Sequence, residues 1–395
     1  MKNFDSIIKD IRKVTGTSNS LISLPLHEPY LKKTDAISIV SKCIDSSWVS
    51  TRGEWVEKFE KKICQITKAK YAVAVSNGTD GLRMALHVCG VKPDEEVILP
   101  SLTFVATANC IAHLGAIPHF VDIETRTFGL CPKKLDNYLK KNILMKNGIA
   151  INKNTNRVIR AIMPVHLFGI PADIFEITKI ARKWNLKIVE DAAESLGSYA
   201  NKTHCGLIGD VGVISFNGNK IVTCGGGGIL ITNSKDLATK SKHLSTTAKV
   251  NDQYELKHDQ IAWNDRLPSI NAALGYSQLD FFETIIEKKR KLANRYHQYF
   301  HNKYPFSFIK EKDKDNSNYW LNTIQINPKK VSELYEFRNN LLSQCKLANI
   351  YLRPIWQPLH TLEIFNNCPR SEMKNTLNYS KLLISFPSSP HFIDD

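Results

Sequence analysis

Lys220 stands between a short apolar stretch, residues 212–216, and an unbroken run of four glycines, Gly225 to Gly228. Adjacent glycines give up backbone entropy, so a fold keeps them where a turn needs positive φ or where a ligand must come close to the main chain. Most lysines of so basic a chain are solvated surface groups, but one beside such a turn can be held at a buried ligand, where burial or a cationic neighbour makes its amine a usable nucleophile. Asn77-Gly78-Thr79 joins the apolar run 71–75 to a helical pattern. A strand feeding through that turn leaves free N–H groups at the positive end of the helix dipole, where a phosphate is well placed. Ser, Asn and Thr are also ordinary N-caps, so the turn alone decides nothing. Glu190-Asp191-Ala192-Ala193-Glu194 closes the apolar run 186–189. Asp191 there either meets a ligand or caps the next segment.

Together these stretches offer a phosphate cradle at residues 77–79, an aromatic at Phe104, a carboxylate at Asp191, a hydroxyl at Ser215 and an amine at Lys220. Pyridoxal 5'-phosphate needs each of those groups. Its aldehyde forms a Schiff base with a lysine, its ring nitrogen stays protonated beside a carboxylate, and its phosphate takes backbone amides or hydroxyls.

The elements that must position them follow from periodicity. Leu82, Ala85, Leu86 and Cys89 share one helical face, as do Ile174, Ile177, Ile180, Ala181 and Trp184. Short apolar runs at 71–75, 97–99, 117–121, 158–165, 186–189 and 228–232 read as strands between such helices. That alternation predicts a mostly parallel sheet covered on both faces, with ligands at the carboxyl ends of its strands. Residues 47–53 form a polar turn that either covers a site or simply connects two helices. Beyond the strand at 228–232, the chain to about Asp259 reads as a polar region. A long amphipathic helix over 281–300 leads to an α+β region with a strand at 319–326, a helix at 331–347 and a strand near 351–353. The expected organisation is a large domain, 1–280, with an N-terminal extension over 1–23, and a small domain, 281–395.

Composition narrows the function classes. Nine cysteines without a C-x-x-C pair argue against a disulfide framework and a zinc ribbon, and no metal site is expected. No apolar run approaches the roughly 18–20 residues of a membrane span, and the first residues lack a signal-peptide core, so a cytoplasmic protein is expected. The net charge of +15 suits nucleic acid, an acidic membrane or an anionic metabolite. Its main cluster, Lys288-Lys289-Arg290-Lys291, reads as a solvated helix face, and no zinc-finger or RNP-like pattern supports nucleic-acid binding.

Residues 77–79, Pro100-Ser101-Leu102-Thr103-Phe104, 190–194, Ser215-Phe216 with Lys220 and the glycines, and Asn264-Asp265-Arg266, in that order, resemble the signature of nucleotide-sugar aminotransferases of the DegT/StrS type. The likeness runs from about Leu24 to Pro390. It implies the fold-type I, aspartate-aminotransferase-like architecture, with a mixed, mostly parallel sheet in the large domain and a smaller C-terminal α+β domain. Within the family, residues 215–220, 165–169 and 386–390 look most like the subgroup that aminates UDP-linked 4-keto-6-deoxy-N-acetylhexosamines in bacillosamine and legionaminic acid pathways of surface polysaccharides. The resemblance implies Lys220 as the Schiff-base lysine, Asp191 on the ring nitrogen, Phe104 stacked on the ring, and Asn77, Gly78, Thr79 and Ser215 at the phosphate. Asn264 would reach that phosphate from a second subunit, making the site a homodimer's. Glu194 stands where many relatives place glutamine, beside the cofactor's phenolic oxygen, so it is expected protonated or water-bridged. His166, Arg266, Arg353 and His360 are candidates for the UDP-sugar, and L-glutamate is the expected amino donor. A sugar dehydratase of the same fold replaces the lysine with histidine, so Lys220 argues against it. A non-catalytic regulator of the same fold is the further alternative.

Overall fold

The computed structural model describes residues 4–393 except 32, 33, 251 and 253, so the first three residues of the expected N-terminal extension lie outside the described residues. Helices α1 (Phe4–Val14), α2 (Ala36–Asp45) and α3 (Glu54–Thr67) open the chain. Strand and helix then alternate as β1 (Tyr71–Val75), α4 (Gly78–Val88), β2 (Glu96–Pro100), α5 (Ala106–Ala112), β3 (Ile117–Val121) and α6 (Pro132–Asn142). A hairpin of β4 (Ile143–Lys146) and β5 (Ile149–Asn152) pairs with β6 (Val158–Ile162), and α7 (Ile174–Lys183) leads to β7 (Lys187–Asp191). The small pair β8 (Tyr199–Ala200) and β9 (Thr203–His204) precedes β10 (Val211–Ser215) and β11 (Gly228–Thr232).

The central sheet has the order β1-β11-β10-β7-β6-β2-β3. Every neighbouring pair from β10 to β3 is parallel, and β11 runs antiparallel to both β1 and β10. Since β1 and β10 both oppose β11, they point the same way, and the carboxyl ends of β1, β2, β6, β7 and β10 meet at one edge. Strands β2, β10 and β11 are buried along their whole length, which explains their continuous apolar runs.

Beyond it come α8 (Lys235–Ser245), the pair β12 (Lys249–Val250) and β13 (Lys257–His258), α9 (Ser269–Leu279) and α10 (Phe282–Phe300). Then β14 (Phe306–Phe308), β15 (Asn322–Ile326), α11 (Leu334–Leu347), β16 (Arg353–Pro354), α12 (Lys374–Tyr379) and β17 (Leu383–Phe386) follow. Four of these strands form an antiparallel sheet, β14-β15-β17-β16, whose core is shared with α1, α10 and α11. Among the described residues no helix is long and apolar enough to cross a membrane, and no cluster of His, Cys, Asp and Glu could hold a metal ion.

Several expectations change. The stretch read only as polar contains α8, capped by the Ser234 side chain; its buried positions include Ser241 and Ser245 beside Ala238 and Leu244, and the serines hide the apolar period. The strand expected at 319–326 begins only at Asn322, because Tyr319 adopts φ 47° and breaks the extended backbone. Residues 47–53 connect α2 to α3, with the carbonyls of Val49 and Ser50 accepting from the start of α9. The cluster on α10 is not wholly a solvated face. Lys289 is fully buried, and Arg290 donates to the carbonyls of Ser317 and Gly197.

Candidate active site

The edge where the parallel strands end opens on a cavity of about 290 Å³. The strands deliver their contributions at or shortly past their last residues, and the local reasons differ. After β1, Asn77 caps α4: its side chain accepts from Asp80 N at 2.9 Å and its carbonyl accepts from Gly81 N at 3.1 Å. The amides of Gly78 and Thr79 have no acceptor within the helix, and both residues line the cavity. Close approach dictates the glycines around them. A Cβ on Gly78 would stand 3.0 Å from that of Ser215, and one on Gly228 would stand 2.6 Å from the backbone of Asn77. Gly225 supplies positive φ, 76°, in the turn that brings β11 back against Asn77.

At the end of β7, Asp191 is buried and its carboxylate accepts from the Thr107 hydroxyl at 2.8 Å and from Ala193 N at 3.2 Å. Burial pushes the Asp191 carboxyl above its ordinary range, and Thr107, Ala193 N–H and the charge of Lys220 pull the other way. Lys220 follows β10 on a turn closed by its own amide to the Asn217 carbonyl at 3.0 Å. Its Nζ lies 3.7 Å from Glu194 Oε1 and 3.8 Å from the centroid of the Trp320 ring. Burial depresses the basicity of this amine, and Glu194 and Asp191 restore part of it.

Glu194 itself accepts from Phe168 N at 2.7 Å, and desolvation carries its carboxyl up to about 7 against the pull of Lys220. The folded protein therefore binds a proton at Glu194 that the unfolded chain releases from about 4.5 upward, so this group costs stability as pH rises through that window. Glu194→Gln is expected to raise the melting temperature of cofactor-free protein at about pH 8 and to leave it unchanged at about pH 4. Equal melting shifts at both pH values would refute the assignment. Phe104, half exposed, lines the cavity with its ring 5.9 Å from Trp356, which stacks on Phe168. Arg353 reaches in from β16.

Of the residues predicted at the site, Asn77, Gly78, Thr79, Phe104, Asp191, Glu194, Ser215, Lys220 and Arg353 all line this one cavity. Four others do not line it within this chain. His166 is fully buried, with Nε2 2.9 Å from Glu190 and Nδ1 accepting from Ala172 N at 3.1 Å, so both ring nitrogens are already engaged. His360 is held away by Ser101, 2.7 Å from its Nδ1. Arg266 pairs with Val75 beside β1, away from the cavity lining. Asn264 is exposed, paired with Thr246, and outside its own chain's cavity.

Thr107, Trp320 and Trp356 also line the cavity and were not singled out from the sequence. A signal for Thr107 existed: it stands one helical turn after Thr103, and the two hydroxyls lie 3.0 Å apart. Thr107→Val keeps the shape and removes the donor to a buried carboxylate. A turnover loss of about 10- to 100-fold is expected in steady-state assays, with little change in fold by circular dichroism.

The DegT/DnrJ/EryC1/StrS aminotransferase family matches residues 31–395. A protein of Escherichia coli O157:H7 named GDP-perosamine synthase is 33% identical over 345 residues, covering 87% of each chain. A protein of the same name from Vibrio cholerae is 32% identical over 373 residues, covering 94% of this chain and 95% of its own. A crystal structure of a DegT DnrJ EryC1 StrS aminotransferase from Brucella abortus superposes with a TM-score of 0.80 at 28% identity, covering 90% of both chains.

Proposed function

This chain belongs to the DegT/DnrJ/EryC1/StrS aminotransferase family, and from that premise we propose that it moves an amino group from L-glutamate to the carbonyl carbon of a 4-keto-6-deoxy sugar carried on a nucleoside diphosphate. It is a pyridoxal 5'-phosphate-dependent sugar aminotransferase. The observation that carries the finer reading is that Lys220, Asp191 and the amino end of α4 line a single cavity.

The residues fit the cofactor. Gly78 stands so close to Ser215 that any larger side chain would fill the space beside the helix start, leaving an anion cradle of amides and a hydroxyl. Gly78, Thr79 and Ser215 would hold the phosphate, with Asn77 fixing the turn. Asp191 would pair with the ring nitrogen, Phe104 would cover the ring, and Lys220 would hold the aldehyde. When bound, the cofactor supplies a carrier for nitrogen and an electron-poor ring that stabilises negative charge on the substrate carbon.

The chain's own residues account for the rest. Lys220 is kept less basic than a solvated lysine by burial, so its amine is available to take a proton from one substrate carbon and return it to another. Glu194, 3.7 Å away, titrates near neutrality and exchanges a proton with that amine. Trp320 covers one side of the amine, its ring centroid 3.8 Å from Nζ. Arg353 presents a cation to an anionic substrate. Asn264 stands exposed, free to complete the phosphate site of a second copy in a homodimer.

For the nucleotide, the segments 215–220, 165–169 and 386–390 support a UDP-linked N-acetylhexosamine. The names of the Escherichia coli and Vibrio cholerae relatives favour a GDP-linked sugar as the second reading. Mass spectrometry of reactions with L-glutamate and matched UDP- and GDP-linked 4-keto sugars separates them. Amination of the UDP substrate is expected. Turnover of the GDP substrate alone would transfer the assignment, and turnover of neither would overturn it.

A further inference from the structure

A second buried lysine lies behind the cavity wall. Lys289, on α10, is fully buried, and its Nζ donates to the carbonyl of Trp320 at 2.9 Å and to the carbonyl of Ser388. One carbonyl belongs to the chain just before β15 and the other to the chain just after β17, so this amine ties α10 to two neighbouring strands of the second sheet. Burying an ammonium group is costly, and an apolar residue would satisfy the helix face without that cost. What the amine holds is next to the chemistry. The face of Trp320 lies 3.8 Å from Lys220 Nζ, and its indole N–H donates to the carbonyl of Asn219, the residue before Lys220, at 2.7 Å.

We propose that Lys289 is a positioning residue for Lys220, acting through Trp320: it fixes the backbone of Trp320 so that the indole both walls the reactive amine from water and pins the turn that carries it. The inference rests on the reading of Lys220 as the amine that condenses with the cofactor aldehyde, one water leaving for each C=N bond formed. The titratable and charged groups around Lys220 are Asp191 at the end of β7, Glu194 just beyond it, Arg353 from β16 and His27 from the segment before α2. His27 also faces Lys289, and burial holds its imidazole well below its ordinary range, so it stays neutral across the range of the test.

The test follows capture of pyridoxal 5'-phosphate by cofactor-free protein over a pH series, with borohydride trapping and peptide mass spectrometry of the segment containing Lys220. In Lys289→Met the midpoint of the capture rate is expected to rise by about one pH unit, giving about tenfold slower capture at neutral pH, because a loosened Trp320 admits water and restores basicity to Lys220. Leu341→Ala, buried in a different core cluster from Trp320, controls for lost stability and is expected to keep the wild-type midpoint. An unchanged midpoint in Lys289→Met, with a melting temperature lowered as in Leu341→Ala, overturns the inference and leaves Lys289 a purely structural group. If Lys289→Met yields no folded protein, Trp320→Phe tests the same path, since it keeps a ring face and removes the bond to Asn219. A wild-type midpoint there also overturns the inference. Wild-type protein that captures the aldehyde at a residue other than Lys220 is a separate outcome, which removes the cofactor-lysine reading and the inference with it.

Discussion

Lys220→Ala is expected to lose turnover on the order of 10⁴-fold or more while keeping the fold. Lys220 is the only lysine lining the cavity among the described residues, so no neighbouring amine is placed to substitute for it. The reconstituted variant should bind pyridoxal 5'-phosphate without the visible absorbance of a lysine-bound cofactor, and added L-glutamate should produce no spectral change on the timescale of wild-type turnover. The loss belongs to the chemical step, because the phosphate cradle at residues 78, 79 and 215 is untouched. Activity within about tenfold of wild type would place the reacting amine elsewhere.

Asp191→Asn is the second large effect, with kcat expected to fall roughly 10²- to 10³-fold. Asparagine keeps the shape and can still accept from Thr107 Oγ1, which lies 2.8 Å from the native carboxylate, so what is removed is negative charge at a buried point. That charge is costly to keep ionised, since burial raises the carboxyl and only Thr107, the Ala193 amide and nearby cations favour the charged form. A cationic ring nitrogen would repay the desolvation of Asp191. The variant should therefore show a reduced kcat with a smaller change in KM for the sugar, and weaker retention of cofactor on dialysis. An unchanged kcat would detach Asp191 from the ring.

The part of the site that was legible in the sequence is the part made by chain punctuation. Asp191 and Ser215 each close a strand whose apolar run is visible, Asn77 stands two residues past another, and Lys220 is marked by the glycines that follow it. Those glycines are local necessities, imposed by the approach of β11 to Asn77, and so they leave a local trace. Trp320 and Trp356 leave none, because they belong to the second sheet region and meet the cavity only through tertiary packing. His166 lies outside the cavity lining for the converse reason. It stands four residues past β6, near the edge where a ligand-binding residue would be, but its backbone bonds to Asp191 and its ring turns inward to Glu190. The fold was readable from alternation wherever apolar faces were continuous, and it was lost where small polar residues such as Ser241 and Ser245 filled buried positions.

The cavity draws on positions as far apart in the chain as Asn77 and Trp356. A nascent polypeptide emerging from the ribosome can lay down α4 and the central strands long before Trp320 and Trp356 have been synthesised. Until they arrive, the segment carrying Lys220 lacks its far wall. Contacts spanning such separations form slowly, so the cavity is expected to close late in folding.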